Sequence, residues 1–139
     1  MDKRFNLERF VEAQAAVYST VVKELKSGRK ASHWMWFIFP QLAGLGRSAT
    51  AREFAIASAD EAAAYLAHPL LGARLRECGA LALAIDGKEV AEIFAPPDDL
   101  KLHSSMTLFA EIAPDEEVFQ DCINKFFDGE PDQATVALL

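Results

Sequence analysis

The sequence predicts an all-α fold: a single compact domain over residues 1–139, with about seven to nine helices, several short, and no significant sheet. Three observations carry that prediction. Apolar residues recur at helical spacing along most of the chain. No stretch alternates apolar with polar residues, and no hairpin dipeptide joins two β-branched runs. Capping residues, glycines and prolines bracket the periodic stretches.

Taken in order, Leu7, Phe10, Val11, Tyr18, Val21, Val22 and Leu25 form one stripe. They predict a long first helix, with Asn6 placed to cap it and Gly28 to stop it. Ser32 is placed to cap a short helix through the aromatic run Ser32-His33-Trp34-Met35-Trp36-Phe37-Ile38-Phe39-Pro40-Gln41, which Pro40 ends. Gly44 and Gly46 mark a loop, and a helix follows from about Ser48 to Ile56. Ser58-Ala59-Asp60-Glu61 reads as a capping box, hydroxyl and carboxylate each taking a backbone N–H, and opens an alanine-rich helix to about Ala67. Pro69 fits a first turn, where its missing N–H costs nothing; that helix runs through Leu70, Leu75, Cys78, Leu81 and Ile85. A short helix around Val90 to Phe94 ends at Pro96-Pro97. Asp98 or Asp99 caps a helix to about Ala113, and Pro114 interrupts it. Asp115 caps the next, through Val118, Phe119, Ile123 and Phe126, and Gly129 stops it. Asp132 caps a last short helix carrying Val136 and Leu138. The chain has no internal repeat, low-complexity segment or linker.

Composition narrows the function classes. Half of the residues are hydrophobic (51%) and a quarter charged (25%), as in ordinary globular domains. A net charge of −7 argues against nucleic-acid binding, which draws on clustered Lys and Arg. No basic N-terminal segment leads into an apolar stretch, and no run approaches the ~20 apolar residues of a membrane span. Neither secretion nor a membrane partner is expected. Cys78 and Cys122 lack CxxC or metal-ligand spacing and sit among apolar helical neighbours, so they read as buried free thiols in a reducing cytoplasm. His33, His68 and His103 are not spaced as metal ligands, and HExxH, P-loop, GxSxG and Rossmann motifs are missing. No metal and no cofactor are expected, and no residue is assigned a catalytic role. The charge is uneven: six basic residues face two acids between Lys23 and Glu53, whereas eight acids face Lys125 alone from Glu111 onward.

Polar residues break the helical pattern in three places. Gln14 falls at the centre of the first apolar stripe with Tyr18 one turn on, and a buried glutamine must satisfy its oxygen and two N–H donors. The pair either satisfies loop backbone inside the core or lines a polar pocket. In Asp98–Phe109, Leu102, Met106 and Phe109 make an apolar stripe and Ser104, Thr107 and Glu111 lie opposite, on a solvated face. Two serines and a threonine are poor helix-interior residues, and Lys101 opposes the dipole in a first turn. A bound anion would reverse that penalty. The aromatic run is either a core plug or a pocket wall, with Trp34 or Trp36 stacking on a planar group and His33 and Gln41 giving directional hydrogen bonds. Arg47, ahead of a Ser48 cap, is a further candidate anion contact.

With these residues in hand, the chain resembles a family of uncharacterised bacterial all-helical domains. That family often carries the label "calpastatin", and a mycobacterial conserved hypothetical protein represents it. The resemblance covers nearly the whole chain. It rests on Arg9-Phe10 with Gln14 and Tyr18, the Ser32–Gln41 run, Gly44-Leu45-Gly46, His68-Pro69-Leu70-Leu71-Gly72, Asp98-Asp99-Leu100-Lys101 and Ser104-Ser105-Met106-Thr107-Leu108-Phe109. It implies an all-α fold and brings no activity. Calpain-inhibitor domains are long, repetitive and disordered, so the label does not fit a repeat-free chain rich in core residues. A looser similarity to small helical glycosidases of ADP-ribose-type metabolites is confined to an aromatic-walled polar pocket and carries no residue across.

Two functions are expected. One is binding, with or without chemistry, of a small anionic metabolite such as a nucleotide or sugar phosphate. Its residues would be Gln14, Tyr18, His33, Trp34, Trp36, Gln41, Arg47, Lys101, His103, Ser104 and Ser105. Histidine titrates near neutrality, which suits His33 or His103 to acid–base work. The alternative is a non-catalytic module that docks a protein, whose identity is unknown, through an acidic or apolar surface.

Overall fold

The computed structural model describes residues 5–139. Ten helices are seen there: α1 Glu8–Ala15, α2 Tyr18–Ser27, α3 Met35–Ile38, α4 Ala49–Glu53, α5 Ala59–Ala67, α6 Leu71–Leu83, α7 Val90–Ile93, α8 Asp98–Ile112, α9 Glu117–Phe127 and α10 Gln133–Leu138. No strand forms among the described residues; a lone parallel bridge joins Leu42 to Ile56. The fold is all-α, as expected.

The tenth helix arises because the first one is broken. A turn at Ala16-Val17 separates α1 from α2, with the Val17 N–H donating to Gln14 O at 3.1 Å. Asn6 is not the cap: it takes φ 48°, and Leu7 stands at the cap position without a side-chain bond. Ser48, Ser58 and Asp132 do cap, each accepting from a backbone N–H of its first turn. The box at Ser58 is half formed, since Glu61 turns to the Ala57 N–H and to Arg9. Asp98 is already the first residue of α8, behind Pro97, and Glu116 rather than Asp115 precedes α9. The Nδ1 of His68 accepts from the N–H groups of Leu70 and Leu71, so a histidine ring caps α6 after Pro69. The helix at Ser48 stops at Glu53, and Ile56 goes to the bridge instead.

α8 runs through the middle of the molecule, packed by α3, α5, α7, α9 and α10. Every residue from Ser104 to Phe109 is buried, which corrects the expected solvated face. The cover is the C-terminal segment. Ser104 Oγ donates to Leu100 O (3.0 Å) and Asp132 Oδ2 (3.3 Å), and Thr107 Oγ1 accepts from the Asp132 N–H at 2.9 Å. Glu111 alone of that trio is exposed. Around α8 the core holds Phe10, Trp34, Phe39, Tyr65, Phe94, Phe109 and Phe119, all essentially without solvent contact.

Cys78 and Cys122 are buried free thiols, and burial pushes each up to about 12. Thiolate is the reactive form. Both thiols are therefore expected to resist a disulfide reagent near neutral pH in native protein and to react fully in denaturant; a native thiol titrating at the rate of free cysteine would contradict this. Among the described residues no helix is long and apolar enough to cross a membrane.

Candidate functional site

The aromatic run is organised by a residue outside it. Glu24, on the last turns of α2, accepts from the N–H groups of Ala31 (2.7 Å) and Ser32 (3.0 Å), the Ser32 hydroxyl and Trp34 Nε1 (2.9 Å). Burial alone would raise this carboxyl, but the donors outweigh it and hold it at about 2. Ser32 thus serves Glu24 and does not cap α3, a single turn that begins after Trp34. The indole of Trp34 is drawn into the core, 1% exposed, against Phe39 and Phe94.

Trp36 behaves differently. Its neighbours Met35, Phe37 and Ile38 are buried, and on one helical turn that leaves Trp36 on the outer side, half-buried. The exposed His33 ring lies 6.4 Å from it at 28°, and the Lys101 ammonium sits 5.1 Å from its centroid. Lys101 also reaches Asp98 at 3.5 Å, and Asp98 pairs with Lys30 at 2.8 Å. The Lys30 ammonium in turn lies 5.2 Å over the Trp34 ring. The loop after α2, α3 and the start of α8 therefore meet in one aromatic–cationic cluster of His33, Trp34, Trp36 and Lys101, with Lys30 and Asp98.

The other candidates go elsewhere. Gln14 is buried with Nε2 donating to Phe37 O (2.7 Å) and Tyr65 Oη (3.2 Å), and Oε1 accepting from Arg74 at 3.3 Å. Its amide thus ties α1 to a carbonyl of α3 inside the core. Tyr18 donates to Glu77 under the Arg74 guanidinium, 4.3 Å away. Burial, then the Glu77 bond, hold its phenol well above the ordinary tyrosine range. His103 stacks on Phe127 at 4.0 Å and 5°, and Nε2–H donates to Glu130 O at 2.6 Å. Two residues beyond Lys101, it lies roughly 200° round the helix, and it joins Ser104 on the side covered by the C-terminal segment. Ser105, one turn on from Lys101, is fully buried and its hydroxyl has no partner. Gln41 and Arg47 belong to the loop closed by the Leu42–Ile56 bridge, with no hydrogen bond or ion pair to the Trp36 cluster. Three open clefts, of ≈ 290, 360 and 400 Å³, are lined by none of these eleven residues.

Sequence reasoning missed Glu24 and the Lys30–Asp98–Lys101 chain. A signal existed for the first, since a buried indole N–H needs an acceptor. Nothing in linear spacing identifies which carboxylate supplies it.

A profile described as "Protein of unknown function (DUF1810)" matches residues 4–139, and the chain belongs to that family. The crystal structure at 1.38 Å of the conserved hypothetical protein Rv1873 from Mycobacterium tuberculosis is similar to it throughout. The two share 55% identity and a TM-score of 0.96, over 97% of this chain and 96% of that one. A comparison with curated proteins finds no match.

Proposed function

We propose that the protein binds a small anionic metabolite with a planar or sugar ring, such as a nucleotide or sugar phosphate, on the outer face of Trp36. One observation carries the reading: a half-buried tryptophan is flanked by an exposed histidine ring and by an ammonium whose carboxylate is shared with a second lysine. The Lys101 ammonium, sharing its carboxylate with Lys30, stands beside the aromatic surface of Trp36, which suits a ring bearing an anion. The roles are ring stacking for Trp36, a directional hydrogen bond from His33, and anion contact for Lys101. Binding rather than nucleophilic chemistry fits the raised thiols of Cys78 and Cys122 and the raised phenol of Tyr18, which stay protonated near neutral pH. The setting we propose is a bacterial cytoplasm, with neither nucleic acid nor membrane as partner, in keeping with a net charge of −7.

The test is a thermal-shift and tryptophan-fluorescence screen with ADP, ADP-ribose and sugar phosphates. A ligand present at a thousand times its Kd adds about 4 kcal/mol of stability. Quenching should be saturable and lost in Trp36→Phe. Lys101→Ala should weaken binding about tenfold, the worth of one charge-assisted hydrogen bond. A flat screen would overturn the reading. It would favour a protein-docking module, a role for which the exposed Val136, Leu138 and Leu139 at the C-terminal end are the supporting observation.

A further inference from the structure

Two cations that no carboxylate pairs among the described residues share an open cleft with Lys30. Gly28 ends α2 in the left-handed region, φ 82°, and the chain reverses into Arg29 and Lys30. The Lys30 N–H donates to Ile93 O at 2.9 Å, which ties the reversed turn to α7. Between them lies an open cleft of ≈ 400 Å³ bordered by Arg29, Lys30, Lys88, Glu92 and Ile93. Lys88 is held at its edge by one hydrogen bond, Nζ to Gly28 O at 3.0 Å. A Cβ at position 28 would stand 3.1 Å from that Nζ, a contact the flexible lysine could relieve, so it is the positive φ that calls for glycine there. Arg29 is exposed and no carboxylate reaches its guanidinium among the described residues.

One acid, the exposed Glu92, stands on the lining itself, and its charge opposes the two cations there. Glu92 Oε1 accepts the Glu89 N–H at 2.8 Å, and Asp98 is shared by Lys30 and Lys101. The carbonyl end of α2 would repel an anion. The carbonyls of Glu24 and Leu25, however, accept from the N–H groups of Gly28 and Arg29, and Lys88 takes Gly28 O. Against that one carboxylate the cleft presents a guanidinium fork and an ammonium with donors to spare, a set that matches the several oxygens of a phosphate.

We propose that this cleft is a phosphate subsite, with Arg29 and Lys88 as its contacts, taking one or two phosphoryl groups of the ligand. It rests on the binding reading above, because Lys30 both lines the cleft and joins Trp36 through Asp98 and Lys101. A nucleoside diphosphate would lay its ring on Trp36 and its phosphates between Arg29 and Lys88.

The probe is inorganic pyrophosphate, titrated at fixed ionic strength into the full chain and followed by backbone amide shifts in NMR. Saturable shifts are expected at Arg29, Lys30 and Lys88. In Arg29→Gln, which breaks no contact and should melt as the parent does, affinity should fall about tenfold. Absence of saturable shifts at those amides, or an undiminished affinity in Arg29→Gln, would overturn the subsite. A parallel titration with adenosine, read by Trp36 fluorescence, isolates the other reading. Pyrophosphate binding without adenosine quenching keeps the subsite and removes the ring site; the reverse removes the subsite alone.

Discussion

Replacing Arg9 with alanine is expected to cost about 3–5 kcal/mol of folding stability, the usual loss when one partner of a buried ion pair is removed. The guanidinium uses all five of its N–H donors. Nε donates to Glu53 O (2.8 Å), Nη1 to Phe5 O (2.5 Å) and Asn6 O (2.9 Å), and Nη2 to Ala55 O (2.8 Å) and Glu61 Oε2 (2.9 Å). Its plane also lies 4.4 Å over the Phe10 ring. Alanine would strip these acceptors and leave the buried Glu61 carboxylate with the Ala57 N–H as its remaining donor. Lysine keeps the charge but not the planar fork, so Arg9→Lys should recover only a fraction. The double variant Arg9→Met, Glu61→Leu should be less damaging than Arg9→Ala alone, because no charge stays buried. Urea unfolding measures all three; a loss below about 1 kcal/mol for Arg9→Ala would show that the pair is solvated.

Arg9 marks a boundary in what the sequence reveals. Periodicity and caps placed the helices because those signals are local: Ser48, Ser58 and Asp132 bond within one turn of themselves. The Ala16-Val17 break was not legible, since Gln14 and Tyr18 keep the spacing of an unbroken stripe. What separates them is tertiary, Gln14 answering to Phe37 and Tyr18 to Glu77. The reading of α8 failed for a related reason. Ser104 and Thr107 look like a wet face until the chain returns, some 25 residues on, with Asp132 to cover them. For the candidate site, the aromatic run and Lys101 were visible as oddities of composition. Their meeting was not, because it runs through Asp98 and Lys30, whose charges have no distinctive spacing in sequence. The eleven residues chosen from the sequence divide among four groups, with Ser105 alone in the core, and one of these groups contains the outward-facing tryptophan.

Glu24 holds the turn that precedes that tryptophan and the indole of Trp34, and Glu24→Ala is expected to cost about 3 kcal/mol. Four donors converge on its carboxylate, and hydrogen bonds to a charged group contribute roughly 1.5–3 kcal/mol each before solvent screening reduces them. Alanine leaves two backbone N–H groups and the Trp34 indole without an acceptor, whereas glutamine keeps one oxygen and should cost less. The pH dependence separates this account from simple packing loss. The carboxyl is held at about 2 in the folded protein against 4.5 as its ordinary value, so the folded state binds its proton less readily than the unfolded chain. Its contribution is then complete above about pH 4.5 and is lost as pH falls towards 2. Stability of the parent protein, followed by urea midpoint, should decline through that window more steeply than that of Glu24→Gln, which has no proton to take up there. Parallel profiles would mean that the four donors do not hold the charge. A steeper parent profile, together with a red-shifted Trp34 emission in Glu24→Ala, would identify this carboxylate as the anchor that sends one tryptophan inward and leaves the other facing out.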